Sequence, residues 1–259
     1  RCLILGPSSC CPSRSAGACE RPMQRVQQYV TGNFIPHHCF LEDAEYARAL
    51  DAIVKAVSDT LVTTPDGDRV FLGQRKVEPQ PDWWFFGGRA RPGEAPQEAA
   101  VRNMKRELGL ELVPARFEVV GTYSLVWEKR AQEPIGHGTA DISTVHRLIL
   151  SDEELASIAI DEQEYANTSW FECDEVLAGQ FHPAIKQAIR DMRVVKAYEA
   201  MAASIAEGVD DTALAQHARD LVWLVGRPTR TIVRVHFDAE ASVYTVQAGD
   251  RRKNTRDES

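Results

Sequence analysis

The stretch from Gly87 to Leu110, GGRARPGEAPQEAAVRNMKRELGL, constrains this chain more than any other. It follows an aromatic run, Trp83-Trp84-Phe85-Phe86, that predicts a strand running into a Gly-rich turn. Pro96 suits the first position of a helix, because its missing N–H would be an orphan there in any case. Gly109 suits the position just past a helix, where a left-handed backbone is needed. The stretch therefore predicts strand, loop and helix, with charged groups at fixed offsets. A plainer reading pairs Glu98 with Arg102 at i, i+4 on a solvated helix face. That reading does not account for the loop glycine, the loop glutamate and the closing glycine together.

Those offsets can be written out. Gly88 is followed after five residues by Glu94, after seven more by Arg102, then by Asn103, Met104, Lys105, Arg106, Glu107, Leu108, Gly109 and Leu110. The pattern resembles the box of the Nudix hydrolases, Gly-x5-Glu-x7-Arg-Glu-apolar-x-Glu-Glu-x-Gly-apolar. Gly88, Glu94, Arg102, Met104, Glu107, Gly109 and Leu110 match it, while Asn103 and Arg106 stand where the family has Glu. Positions 103, 106 and 107 share one helix face, and three carboxylates there would hold several hard cations against a diphosphate. One carboxylate flanked by an amide and a guanidinium leads us to expect a single divalent ion. The GDP-mannose mannosyl hydrolases, a branch of the family, show a similar erosion, and the resemblance runs roughly from Ile53 to Met192.

The resemblance implies an α/β fold, an α/β/α sandwich around a mixed sheet. It implies that the Gly88 carbonyl, Glu107 and Gln163 hold Mg²⁺, with Mn²⁺ as the alternative. Arg89 and Arg75 would neutralise the diphosphate, for which a guanidinium fork is well shaped. Asp59 would contact the nucleoside part and His146 the phosphates. The run Ile160-Asp161-Glu162-Gln163-Glu164 resembles an Asp-Glu-Gln-His run of the mannosyl hydrolases, followed, as there, by a Trp strand (Ser169, Trp170, Phe171). Glu164 stands where that family has its general base, a role a carboxylate can fill when its surroundings tune it.

Outside the box, residues 1–22 are rich in Ser, Pro, Gly and Cys, and read as a disordered leader or as a stretch ahead of a start at Met23. Residues 23–51 read as an extension with a short helix over Leu41 to Leu50, and residues 52–195 as the main domain. Ala52 to Thr64 predicts a strand, Pro65-Asp66-Gly67-Asp68 a turn, and Arg69 to Arg75 the return strand. Strands are expected over Arg116 to Trp127 and Ser143 to Leu150, joined by a long loop that borders the pocket. Ser151 caps a short acidic helix, and Cys173 to Gly179 and Ala184 to about Glu207 predict two more. Residues 196–259 form a small C-terminal α+β extension: a helix from Thr212 to Val225, a hairpin over Thr229 to Phe237 and Ser242 to Gln247, and a charged disordered tail.

The chain has 259 residues, a net charge of −8 and 44% hydrophobic residues, enough for one well-buried domain with extensions. The acidic balance argues against nucleic-acid binding, and no apolar run approaches the roughly 18–20 residues of a membrane span. Four of the six cysteines (Cys2, Cys10, Cys11, Cys19) lie in the leader, and Cys39 and Cys173 suggest no disulfide framework, so a reducing, cytoplasmic setting is expected. The sequence therefore leads us to expect Mg²⁺-dependent hydrolysis of a small nucleotide sugar such as GDP-mannose, releasing sugar and nucleoside diphosphate. Cleavage of ADP-ribose or a dinucleotide at phosphorus is the alternative if Glu94, Glu98 and Glu162 rebuild a metal site. A sensor that binds a nucleotide sugar without turnover is the other. The C-terminal unit could pair protomers as a homodimer, cap the pocket or bind another partner.

Overall fold

The structure, a computed structural model, describes residues 26–208, 210–225 and 232–248. The leader 1–22, the tail from Arg251 and the first residues of the expected hairpin (229–231) lie outside the described residues.

After an exposed N-terminal segment, helix α1 spans Asp43–Ala52, and strands β1 (Lys55–Thr63) and β2 (Arg69–Arg75) form the expected hairpin. Its turn is closed by Asp66, whose carboxylate accepts from the Thr64 hydroxyl at 2.5 Å and the Asp68 amide at 3.0 Å. The aromatic run supplies two short strands, β3 (Trp83–Trp84) and β4 (Phe86–Arg89), and α2 then spans Pro96–Leu108. As the sequence predicts, Pro96 opens α2 and Gly109 ends it with φ 72°. The rest of the domain is β5 (Glu118–Trp127), β6 (Thr139–Ile149), α3 (Asp152–Ala156), β7 (Tyr165–Glu172), α4 (Cys173–Ala178) and α5 (Pro183–Glu207).

Three boundaries differ from expectation. Helix α1 runs on to Ala52, so β1 starts at Lys55. A 3-10 turn over Pro114–Arg116 delays β5 to Glu118. The loop after β5 is shorter than expected, because Thr139 to Asp141 already pair with Trp127 to Leu125 and extend β6 backwards.

Seven strands form one mixed sheet. β6 lies parallel to β1 along its full length. On the opposite edge of β1, β2 pairs with Val62 and Thr63, and β4 pairs with Val57 to Thr60. β2 in turn pairs with β3 near its end and with β7 along its far edge. The β3–β4 run is thus inserted where β1 and β2 diverge. That wedge brings Gly87 so close to β1 that a Cβ would lie 2.4 Å from the Ser58 carbonyl oxygen and 2.5 Å from the Asp59 carboxylate. A glycine is required there.

Side chains alternate across the sheet with period two. Leu61, Leu72, Phe85 and Val145 face α5 (Ile185, Ile189, Met192), and Val62, Phe71, Phe86 and Leu148 face α2 (Ala100, Met104, Leu108). The result is the expected three-layer α/β/α arrangement.

The C-terminal residues add α6 (Asp211–Val225) and a separate hairpin, β8 (Val233–Asp238) and β9 (Val243–Ala248). The hairpin docks through Tyr244, which is buried at its ring. The Tyr244 hydroxyl donates to Asp82 at 2.6 Å and accepts from the Gln80 side chain at 2.6 Å, and its amide donates to the Gln180 side chain at 2.9 Å. Those contacts tie the hairpin to the loop between β2 and β3 and to the turn between α4 and α5. Tyr244→Phe keeps the ring but strands two polar partners, so it should lower stability by about 1–3 kcal/mol. An unchanged midpoint in thermal or urea unfolding would show that the hairpin is not held by this hydroxyl.

Candidate active site

A cavity of about 440 Å³ opens where the sheet splits. The odd-numbered residues of β1 contribute Lys55, Val57 and Asp59; the end of β2 contributes Arg75; and the wedge contributes Gly87, Gly88 and Arg89. Arg106 enters from the last turn of α2 and Glu164 from the turn before β7. Leu125, Trp127, Arg130 and Asp141 close the far side, so the loop after β5 does border the pocket. The wall carries both charged groups and aromatic rings, the latter from Tyr46, Trp84, Phe85 and Trp127.

The helix end and the turn before β7 are joined by backbone bonds. The Asp161 amide donates to the Glu107 carbonyl and the Ala159 amide to the Leu108 carbonyl, each at 3.0 Å. These bonds bring Glu164 and Tyr165 alongside Arg106 and Glu107. Glu107 is fully buried, at 0% exposure. Its carboxylate accepts from the Gly87 amide at 2.8 Å and the Tyr165 hydroxyl at 2.6 Å, and it is in direct contact with the Arg106 guanidinium. Burial pushes Glu107 up to about 7, against the pull of Arg106 and these hydrogen bonds. Arg106 also donates to the Gly87 carbonyl at 3.2 Å and lies 3.8 Å from Glu164, whose other oxygen pairs with Arg75 at 3.0 Å.

Behind this layer, Arg102 locks the loop to the helix. Its guanidinium grips both oxygens of Glu94 at 2.6 and 2.8 Å, the Arg89 carbonyl at 2.8 Å and the Asn103 side-chain oxygen at 2.9 Å. The partner of Arg102 is thus Glu94 and not Glu98, which instead accepts from the Ala95 amide at the start of the helix. With its oxygen engaged, Asn103 turns its NH₂ to the Gly88 carbonyl at 3.0 Å.

A family model described as the NUDIX domain matches residues 55–192. The chain belongs to the Nudix family. No curated relative matches it in sequence. Among solved structures, it is similar to a MutT NUDIX hydrolase from Burkholderia pseudomallei, at 18% identity over 54% of this chain and 98% of that one, with a TM-score of 0.43. A C. elegans Ap4A hydrolase in a binary complex gives 17% identity over 56% and 98%, with a TM-score of 0.41. An E. coli dihydroneopterin triphosphate pyrophosphohydrolase gives 20% over 53% and 95%, with a TM-score of 0.40. No substrate follows from likeness at this level.

Within the Nudix domain, six of the eight residues singled out from the sequence come together. Asp59, Arg75, Gly88, Arg89 and Glu164 line the cavity, and Glu107 lies directly behind it. Arg89 stacks over the Tyr46 ring at 4.9 Å and pairs with no carboxylate among the described residues. The other two are elsewhere. His146 is buried on the α2 side of the sheet, because it is one residue out of phase with Asp141 and Ser143. There it packs edge-on against Phe117, its Nδ1 lies 3.3 Å from both the Ser58 hydroxyl and the Asp59 carbonyl, and burial pushes it down to about 4. The structure therefore does not place His146 near a phosphate in the cavity. Gln163 is exposed in a turn, its amide bonded to Asp161 at 2.9 Å, and is not part of the cavity wall. Glu94, Glu98 and Glu162 do not gather into a second carboxylate set either: the first two are bound within the loop and helix start, and Glu162 is exposed in the same turn as Gln163.

The divalent cation that hydrolases of this family use does not fit the donors as they stand. The Gly88 carbonyl takes the Asn103 amide, and Glu107 takes three N–H or O–H donors. Among the described residues, no group of three or more His, Cys, Asp or Glu is arranged to hold a metal. Sequence reasoning did not assign a role to Tyr165 or to Arg130. Arg130 is 2% exposed and holds the loop after β5 through Asp51 at 2.7 Å. Neither carries a local motif, since each acts on a partner distant in the chain.

Asp59 is buried, and desolvation pushes it up to about 7 although Ser143 donates to it at 2.6 Å. An acid whose folded value lies above its ordinary one stabilises the fold fully at low pH and loses that contribution as pH rises through about 7. Asp59→Asn should therefore gain stability relative to the parent as pH is raised from about 4 to about 8, by several kcal/mol at the upper end. Melting curves across that range that stay parallel for the two proteins would rule this out.

Proposed function

We propose that this Nudix domain hydrolyses a small molecule built on a nucleoside diphosphate, with a nucleotide sugar such as GDP-mannose as the preferred substrate class. The observation that supports this most is the convergence of Arg75, Arg89 and Arg106 on one cavity that is also lined by Trp84, Phe85 and Trp127. Three guanidiniums suit the two phosphates of a diphosphate. Trp84 and Trp127, whose rings meet edge to face at 5.5 Å, offer a surface for a base or sugar ring.

In this reading, water attacks the sugar carbon, the carbon–oxygen bond to the diphosphate breaks, and nucleoside diphosphate leaves. The arginines offset the charge that builds on the leaving oxygen. Glu164 takes the proton from the water, as the carboxylate beside the guanidiniums, and Asp59 is held ready to contact the nucleoside. Attack at carbon needs no multi-metal cluster on the phosphates, which accords with the residues present. A second reading, a nucleotide-sugar sensor without turnover, is supported by a specific observation: both oxygens of Glu164 already face guanidiniums.

Product analysis with a panel of nucleotide sugars, ADP-ribose and a dinucleotide tests the proposal. Free sugar plus nucleoside diphosphate is the expected outcome. A mononucleotide product would mean attack at phosphorus and would overturn it, and binding without any product would leave the sensor. Glu164→Gln should lower kcat at least about hundredfold, in the range of a lost general base. Arg89→Ala should weaken kcat/KM by about tenfold or more, as expected for a lost charge-assisted contact; equal activity in both variants would remove them from the site.

A further inference from the structure

We infer that Arg106 takes the place of a divalent cation in this site, so that the chain receives the diphosphate of its ligand on a fixed guanidinium without a metal ion. The inference deepens the proposed function and rests on its diphosphate-bearing ligand. It starts from positions 103, 106 and 107, which share one face of α2 beside the wedge.

The oxygens of Gly87, Gly88, Asn103 and Glu107 beside that face each already accept an N–H or O–H of the protein. The Asn103 amide covers the Gly88 carbonyl, and Arg102 fixes the direction of that amide by holding its oxygen. The Arg106 guanidinium covers the Gly87 carbonyl and contacts the Glu107 carboxylate. The other Glu107 oxygen, Oε2, accepts from both the Gly87 amide and the Tyr165 hydroxyl. A cation entering here would have to displace several of these contacts at once.

Charge leads the same way. The face offers two guanidiniums (Arg75, Arg106) against two carboxylates (Glu107, Glu164), whereas three helix carboxylates would be strongly negative. With those charges balanced, the group that faces the cavity at this helix end is the Arg106 guanidinium, which repels a dication and attracts an anion. The Arg106 side chain is 47% exposed, lines the cavity and spends only one terminal nitrogen on the protein. Its other N–H groups make no hydrogen bond among the described residues, so donors remain for a phosphate oxygen. Holding an arginine in place in advance is what electrostatic preorganisation requires of a charge receptor.

The test uses the full chain with Mn²⁺ alone and inorganic pyrophosphate alone. Electron paramagnetic resonance of added Mn²⁺ should show free ion with no saturable site on the protein. Pyrophosphate, followed by calorimetry, should bind in chelator with a dissociation constant within about twofold of that in Mg²⁺. Arg106→Ala should weaken pyrophosphate about tenfold or more in chelator, the scale of one lost charge-assisted contact. The double variant Asn103→Glu, Arg106→Glu restores three carboxylates at i, i+3 and i+4. It should acquire a Mn²⁺ site and lose chelator-resistant pyrophosphate binding. If that variant fails to fold, the Arg106→Ala and parent measurements still decide the matter. Mn²⁺ binding by the parent, pyrophosphate binding that chelator abolishes, or pyrophosphate binding that Arg106→Ala leaves unchanged overturns the inference. Chelator-resistant binding with no turnover of any nucleotide derivative would sink the hydrolysis proposal and leave this one standing. Metal-dependent turnover would do the reverse.

Discussion

The site depends on one buried carboxylate. Glu107 is removed from water at the end of α2, where an unpaired charge would be costly. Its partners come from three separate elements: the Gly87 amide from the wedge between β1 and β2, the Tyr165 hydroxyl from the start of β7, and the Arg106 guanidinium from its own helix. Satisfying one group thus fixes the helix against both arms of the split sheet. The cavity exists because those arms are held apart there.

A second network makes the first one specific. Arg102 reads the loop through Glu94 and the Arg89 carbonyl, and passes that geometry to Asn103. Asn103 has an oxygen to accept from Arg102 and a nitrogen to donate to Gly88, which a carboxylate could not do. Asn103 and Arg106 act alike in this network, for both supply donors to nearby oxygens: Asn103 to the Gly88 carbonyl, Arg106 to the Gly87 carbonyl and the Glu107 carboxylate.

Other stretches of the wall are set by parts of the chain far from the box. The loop between β2 and β3 supplies Glu78 and Pro79 to the cavity, and the C-terminal hairpin grips that same loop through Tyr244. His182, at the start of α5, packs against Trp84, Trp127 and Tyr244 and connects the hairpin to aromatic rings of the pocket. The C-terminal hairpin thereby braces two of the segments that surround the cavity.

The sequence by itself determined the local elements and the family. Pro96 and Gly109 mark the ends of α2 because backbone φ and a missing donor are properties of single residues, and the box offsets carry the resemblance to the family. It also singled out Arg75, Arg89, Gly88 and Glu164, each near an element end, and the fold brings these four to the wall of one cavity. What it did not determine was the partner of each charge. Whether Glu107 meets a cation or a guanidinium depends on side chains brought together by the split of the sheet. The phase of β6 turned His146 away from the cavity, and the turn before β7 left Gln163 in solvent. Both outcomes depend on which face of an element the packed layers cover, which only the tertiary structure decides.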